Sequence, residues 1–150
     1  MTPASTLSVS KDFHRGFELC YGNGLRASNG VRNATVPAVV CLALSVELGF
    51  KAILVGLNKP SEGHKFVELF SKLSSDIKAD IQHLVVGDEN EFSSRLESVS
   101  NAFVEWRYIF EENGCHSIDL DFLVKLHSAV NQIGIRFVDE QRAKLLADKS

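Results

Sequence analysis

Residues 35–57, TVPAVVCLALSVELGFKAILVGL, decide the fold of this chain. Thr35 can cap a helix at its start, and Pro37 is tolerated in the first turn because its missing N–H would be unpaired there anyway. The residues that follow are apolar on nearly every side, which is typical of a helix buried at the centre of a domain. We therefore predict a central helix over residues 35–57.

The same stretch is nearly long and apolar enough to suggest a membrane span. Glu47 and Lys51 fall well inside it, however, and each charge at the centre of a membrane costs roughly 2.5–3.5 kcal/mol. The first residues, MTPASTLSVSKDF, lack the basic start and apolar run of a signal peptide. We therefore expect a cytoplasmic protein that makes no contact with a membrane.

Helical periodicity continues on both sides of the central stretch. In residues 91–112 one apolar stripe alternates steps of four and three, and Asn113-Gly114 can end the helix. The stripe consists of Phe92, Leu96, Val99, Phe103, Trp106 and Phe110. A second stripe over residues 64–86 is predicted to break at Ser74-Ser75-Asp76, whose side chains favour caps over helix interiors. A third begins at Ile118, with Asp119 as its cap, and continues past Gly134 despite the weakening effect of that glycine.

The N-terminal part carries a weaker helical pattern. Phe13, Phe17 and Cys20 suit one helix face, and the segment from Gly22 to Gly24 is expected to end or bend that helix. No repeat or long linker divides the chain. We predict one all-α domain over residues 1–150, an up-and-down bundle of about five helices. Residues 34–146 would form the core bundle, and residues 1–33 an additional N-terminal helix.

Composition excludes several classes of protein. A chain of 150 residues buries roughly 68–70% of its unfolded surface, enough for a core without cross-links. The net charge of -3 gives no general attraction to nucleic acid. The odd number and wide spacing of Cys20, Cys41 and Cys115 argue against a disulfide framework and favour a reducing compartment.

Two segments together resemble the HEPN domain, a helical bundle found in many prokaryotic proteins. They are ALSVELGFKAILVG, with Glu47 and Lys51 one turn apart, and GHKFVELFSKL, which begins with Gly63-His64. The segment NAFVEWRYIFEE, residues 101–112, resembles a later helix of the same family. The resemblance covers roughly residues 36 to 130. It implies a HEPN-like bundle that acts as a ribonuclease, as the partner of a nucleotidyltransferase, or without known activity.

The chain departs from the pattern that the resemblance implies for a ribonuclease, an Arg followed by a His four to six residues later. Arg107 lies too far from His116, and Gly114 interrupts the helix between them. The nearest imitation is Lys78 with His83, where an ammonium group replaces the planar guanidinium. This departure favours a non-enzymatic domain.

Three polar residues need an explanation in a largely apolar sequence. Glu47 and Lys51 are spaced to touch on one helix, and buried charges persist only when paired. They form either a structural ion pair or part of a polar pocket or self-association surface. His64 either bonds to its own loop or binds a ligand, and Glu62 is the only acid near it in sequence.

Arg107 could complete a candidate polar pocket made of Glu47, Lys51, His64, Arg107 and Glu111. It could pair with Glu111 one turn on, or cross to Glu47. A phosphate group is the alternative partner, because the guanidinium binds it in a fork geometry. The spacing of Cys and His residues predicts no metal site, and no motif indicates a cofactor.

The sequence leaves three hypotheses for function. The first is a non-catalytic HEPN-like domain that associates as a homodimer or as the partner of a second component such as a nucleotidyltransferase. The second is a sensor of a small ligand or nucleotide that binds at the polar pocket. The third is a divergent ribonuclease toxin that uses Lys78, His83 or Arg107.

Overall fold

The computed structural model describes residues 1–26, 35–109 and 117–149, with side chains left undescribed from residue 22 to 26. These residues form seven α-helices and no strand, so the predicted all-α class is confirmed. The helices are α1 (Pro3–Arg26), α2 (Thr35–Gly56), α3 (Phe66–Ser71), α4 (Ser75–Val85), α5 (Glu89–Val99), α6 (Ala102–Arg107) and α7 (Leu120–Asp148). The three long helices α1, α2 and α7 pack on one another, and each of the shorter helices α3–α6 contacts α2 or α7.

Helix α2 is the centre of the bundle, as its apolar sequence predicts. It contacts α1, α3, α6 and α7, and its residues from Leu42 to Leu54 are mostly buried. By length and composition α2 could also cross a membrane, but 67% of its most apolar window is buried inside the bundle. The burial accounts for its apolar character through packing within the chain.

Close contacts fix the directions of the long helices. Cys41 Sγ of α2 lies against Gly16 of α1, and Gly56 at the end of α2 lies against Pro3 at the start of α1. The later residue of α2 contacts the earlier residue of α1, so the two helices are antiparallel.

The C-terminal helix runs alongside α2 in the same direction. Ser45 contacts His127, and four residues further along α2 Gly49 contacts Val130. The later residue of α2 contacts the later residue of α7, so α7 is parallel to α2 and antiparallel to α1.

Two glycines let these helices approach each other. A Cβ on Gly49 would lie 2.6 Å from Val130 Cγ1, and a Cβ on Gly134 would lie 2.9 Å from Leu7 Cδ1. Both distances are too short for a real side chain, so the absence of a Cβ is what permits the packing. Helix α7 runs without interruption through Gly134, as predicted, and the packing of Leu7 explains why a poor helix former stands there.

The prediction of one helix over residues 91–112 is wrong, because a break at Ser100-Asn101 separates α5 from α6. The carbonyl oxygen of Ser100 accepts a hydrogen bond from Phe66 N at 3.0 Å, and its side-chain oxygen accepts one from Val67 N at 2.9 Å. Ser100 thus satisfies two N–H groups at the start of α3, where the local cap residue Lys65 offers no side-chain acceptor. Helix α5 ends there because the carbonyl oxygen of Ser100 is bonded to the start of α3.

Other predicted boundaries agree with the structure. Helix α3 ends at Ser71 and α4 begins at Ser75, so the break at Ser74-Ser75-Asp76 is confirmed. Asp119 caps α7, since its side chain accepts a hydrogen bond from Phe122 N at 3.1 Å. The alternative in which α1 ends at Gly22–Gly24 is wrong, because α1 continues to Arg26.

Candidate functional site

The polar cluster around Glu47 lies where α2 meets the loop before α3. The Glu47 side chain is only 2% exposed, and Lys51 Nζ lies 2.8 Å from its Oε1. Both residues are on α2, one helical turn apart, so the spacing that predicted an ion pair is realised as one. The ammonium group balances a carboxylate that would otherwise be buried without a counter-charge.

His64 joins the same carboxylate from the other side. Its Nδ1 lies 2.9 Å from Glu47 Oε1, although the two residues are far apart in sequence. Gly63, with φ of 103°, turns the chain towards α2, and this left-handed conformation suits a glycine. The sequence offered only Glu62 as an acid near His64, so the true partner could not be found without the fold.

The loop that carries His64 is tied to the bundle by two lysines. Lys59 Nζ donates to the carbonyl oxygen of Lys72 at 2.8 Å, and Lys72 Nζ donates to that of Glu62 at 3.0 Å. Both bonds join a residue of the loop to Lys72, so they hold the loop against the end of α3. The position of His64 is therefore set by backbone anchors as well as by Glu47.

The hydrogen positions at His64 follow from the charge of its partner. Glu47 Oε1 accepts from the ammonium of Lys51, so this oxygen acts as an acceptor towards both of its partners. His64 Nδ1 must then be the donor, which leaves the lone pair of a neutral imidazole on Nε2. The side chain of His64 is 56% exposed, and the edge turned away from Glu47 is the edge that carries Nε2.

Arg107 lies near this cluster but does not join it by an ion pair. Its guanidinium carbon is 4.9 Å from the centre of the Phe103 ring and 4.5 Å from that of Tyr108. The His64 ring contacts the same Phe103, at 5.8 Å between centroids. Of the alternatives for Arg107, the crossing to Glu47 is not realised, since none of the ion pairs between described residues joins them. Arg107 is exposed and stacks on Phe103 instead.

Four of the five residues of the candidate pocket thus have a defined place. Lys51 and His64 each contact Glu47, Arg107 reaches the cluster through Phe103, and Glu111 lies outside the described residues. The second carboxylate oxygen of Glu47, Oε2, is buried and has no hydrogen-bond partner. A buried acceptor without a partner costs about 1–3 kcal/mol, so this oxygen is a place where a donor group would be stabilising.

Sequence reasoning missed a second polar cluster, inside the interface of the three long helices. Ser10 Oγ donates to the carbonyl oxygen of Ser45 at 2.6 Å, and Ser45 Oγ donates to that of Ser10 at 2.8 Å. Ser45 Oγ has one hydrogen, so His127 Nδ1 donates to it across 2.8 Å. The only sequence signal was the presence of small polar residues, Ser10 and Ser45, in segments that are otherwise largely apolar. Such residues do not by themselves show that they meet.

The imidazole of His14 completes this second cluster. It stacks on His127 with parallel rings, and His14 Nδ1 lies 3.6 Å from the Glu18 carboxylate. Burial, and after it the positive charge of a protonated His14, lower the pKa of His127 to about 4. His127 therefore stays neutral at ordinary pH and serves to hold α2 and α7 together.

The two residues proposed to imitate a ribonuclease pair do share a surface. Lys78 and His83, both on α4, line one open cavity of about 560 Å³. Arg107, on α6, is absent from the lining of that cavity. The structure therefore places Lys78 and His83 together and Arg107 apart from them.

Metal-ligand and cysteine chemistry give no alternative site in the described part of the chain. No group of three or more His, Cys, Asp or Glu side chains converges there to hold a metal ion. Cys20 and Cys41 are free thiols, and burial raises the pKa of Cys41. Cys115 and His116 lie outside the described residues.

No known family, curated protein or solved structure matches this chain. The function must therefore be argued from its own residues.

Proposed function

We propose that this protein is a non-catalytic helical domain that acts by association, first of all with a second copy of itself. The observation that carries the proposal is the C-terminal end of α7. Leu145 and Leu146 are 62% and 71% exposed there, and every residue from 142 to 149 is exposed. Two adjacent large apolar side chains at this level of exposure are costly in water and are typical of an interaction surface.

The length of α7 explains why this end is uncovered. The helix has 29 residues against 22 in α2, so it is longer by roughly 10 Å. Since α7 and α2 run side by side, the additional residues of α7 extend beyond the part of this helix that α2 covers. Lys144 and Asp139 on the same stretch offer charges of both signs, which suits pairing with an identical helix in the opposite direction.

Sedimentation velocity over a wide concentration range tests the proposal. The unmodified chain should sediment as a dimer, and the double variant Leu145→Glu, Leu146→Glu should sediment as a monomer. Leu84→Glu is the matched control, because Leu84 is also an exposed leucine but lies on α4. A monomer at every concentration would refute self-association, and a dimer that survives the double variant would refute the surface.

The resemblance to HEPN domains supports the wider form of this proposal, in which the domain is one half of a two-component system. A nucleotidyltransferase would then be the expected partner on the same α7 surface. Titrating such a protein against the chain and against the double variant, with binding followed by calorimetry, tests that form directly.

The unpartnered Oε2 of Glu47 supports a second function, binding of a small ligand with an N–H or O–H donor. A nucleotide is a suitable class, because it carries such donors on its base and ribose and a phosphate that Arg107 can bind. Native mass spectrometry of the freshly purified protein should then show an added mass of nucleotide size. Thermal stabilisation by added nucleotide should disappear in Arg107→Ala, and a bare chain without any stabilisation would refute this function.

A further inference from the structure

We propose that His64 is a phosphoryl-acceptor residue whose Nε2 takes a phosphoryl group from a donor of the phosphoramidate or acyl phosphate class. The proposal rests on three features that meet at one imidazole. They are a carboxylate that holds Nδ1, an exposed imidazole ring, and a cationic side chain over the neighbouring Phe103 ring.

The first feature makes Nε2 the nucleophilic atom. Glu47 Oε1 accepts the hydrogen of His64 Nδ1 at 2.9 Å, and Lys51 pairs with the same oxygen at 2.8 Å. A carboxylate that accepts from one ring nitrogen raises the basicity of the other and fixes the tautomer. It also stabilises the positive charge that the ring gains when Nε2 forms a bond.

The second feature is access. Glu47 is almost fully buried, whereas His64 is more than half exposed. A donor can therefore approach the His64 ring from solvent. The Lys59 and Lys72 bonds hold the loop, so the ring is oriented before the donor arrives.

The third feature is charge. The guanidinium of Arg107 lies over the Phe103 ring that also contacts His64, and Arg107 is exposed. Arginine binds phosphate oxygens in a fork, and a cation near the acceptor raises the local concentration of an anionic donor. Glu68 works against this, because its Oε2 lies near Gly63, 3.6 Å from where a Cβ would be.

The transfer step is balanced without any redox partner. With phosphoramidate as donor, the lone pair of Nε2 attacks phosphorus, the new Nε2–P bond forms, and the P–N bond of the donor breaks. The donor reacts in its N-protonated form, whose nitrogen already carries three hydrogens, so neutral ammonia leaves with that electron pair. The Nδ1 hydrogen stays between the ring and Glu47, where the carboxylate offsets the charge of the substituted imidazole.

His83 provides an internal comparison. It is also exposed, on α4, but no ion pair within the described residues joins it to a carboxylate. The structure therefore distinguishes an exposed histidine that is held by a buried acid from one that is not.

The experiment treats the full chain with potassium phosphoramidate and follows it by intact mass and by phosphorus NMR. One phosphoryl group should add first to His64, as the Nε2-linked isomer, and His83→Asn should react like the unmodified chain. His64→Asn should lose that first addition. Arg107→Gln should slow it several-fold, and Glu47→Gln about tenfold. Because Glu47 and His64 support the fold, circular dichroism must show that each variant is folded.

The isomer and the residue are read from the unmodified chain itself, so a misfolded variant does not decide the result. The Nδ1-linked isomer at His64 would overturn the proposal, since Nδ1 is the nitrogen that Glu47 occupies. Equal rates at His64 and His83 would overturn it as well, because the carboxylate would then confer no advantage.

Discussion

The imidazole rings of His14 and His127 lie parallel, with 3.9 Å between their centroids and 3° between their planes. One ring belongs to α1 and the other to α7, and Ser45 of α2 is hydrogen-bonded to His127. A single stack therefore touches all three long helices. Two imidazoles this close cannot both be charged without repulsion, so the stack links the stability of the bundle to pH.

Lowering the pH below neutrality should destabilise the protein through His127. Its pKa is lowered to about 4 in the folded chain from an ordinary value of 6.5, so the unfolded chain binds the proton more readily between these values. Stability should therefore fall as the pH drops through this window, by on the order of 3 kcal/mol in all. Urea unfolding at a series of pH values from 4 to 7 measures this dependence.

The control separates His127 from the other titrating groups. His127→Gln should flatten the dependence in that window, while His83→Asn should leave it unchanged, because His83 is exposed. An unaltered pH dependence in His127→Gln would show that another group is responsible.

The sequence was sufficient for the features that depend on local physics. The apolar stretch of α2, the cap at Asp119 and the break at Ser74-Ser75-Asp76 were all predicted, because each follows from residues within a few positions of one another. The pairing of Glu47 with Lys51 has the same origin, since one helical turn separates the two residues.

The features that failed or were missed depend on distant partners. The break at Ser100 exists because the start of α3 uses its oxygen atoms, and nothing near Ser100 in the sequence announces this. His64 meets Glu47 rather than Glu62, and His14 meets His127, only because the helices bring them together. The sequence therefore grouped His64 with Glu47 in one candidate pocket, whereas the direct bond between them could not be predicted.

Asp119 should contribute to stability twice, as the cap of α7 and as the partner of Arg95. Arg95 donates to it from Nε at 2.8 Å and from a terminal nitrogen at 3.1 Å, and this bidentate contact lowers the pKa of Asp119. We expect Asp119→Ala to lower the free energy of unfolding by about 1–2 kcal/mol, as measured by urea denaturation. Asp121→Ala is the control, and it should cost less, because Asp121 is 67% exposed, caps no helix and makes only surface ion pairs with Arg95 and Lys125.

Gly49→Ala should strain the interface of α2 and α7. The new Cβ would lie 2.6 Å from Val130 Cγ1, so we expect a loss of about 1–3 kcal/mol in thermal or urea unfolding. Combining it with Val130→Ala should recover part of the loss, because the clash is with that side chain. Gly87→Ala is the matched control, since a Cβ there meets no atom within 4 Å. Additive effects in the double variant would contradict the close approach.

Replacing Glu47 tests whether the buried pair supports the fold. Glu47→Ala would leave the ammonium of Lys51, only 14% exposed, without its counter-charge and would release His64 from its anchor. We expect a loss of about 3–5 kcal/mol in urea denaturation, the range for breaking one side of a buried pair. The double variant Glu47→Leu, Lys51→Met removes both charges together and should recover much of that stability, because no uncompensated charge remains. Full stability of Glu47→Ala would show that the pair supports neither the fold nor a pocket. The proposal for His64 would then lose the support of a carboxylate that holds its Nδ1.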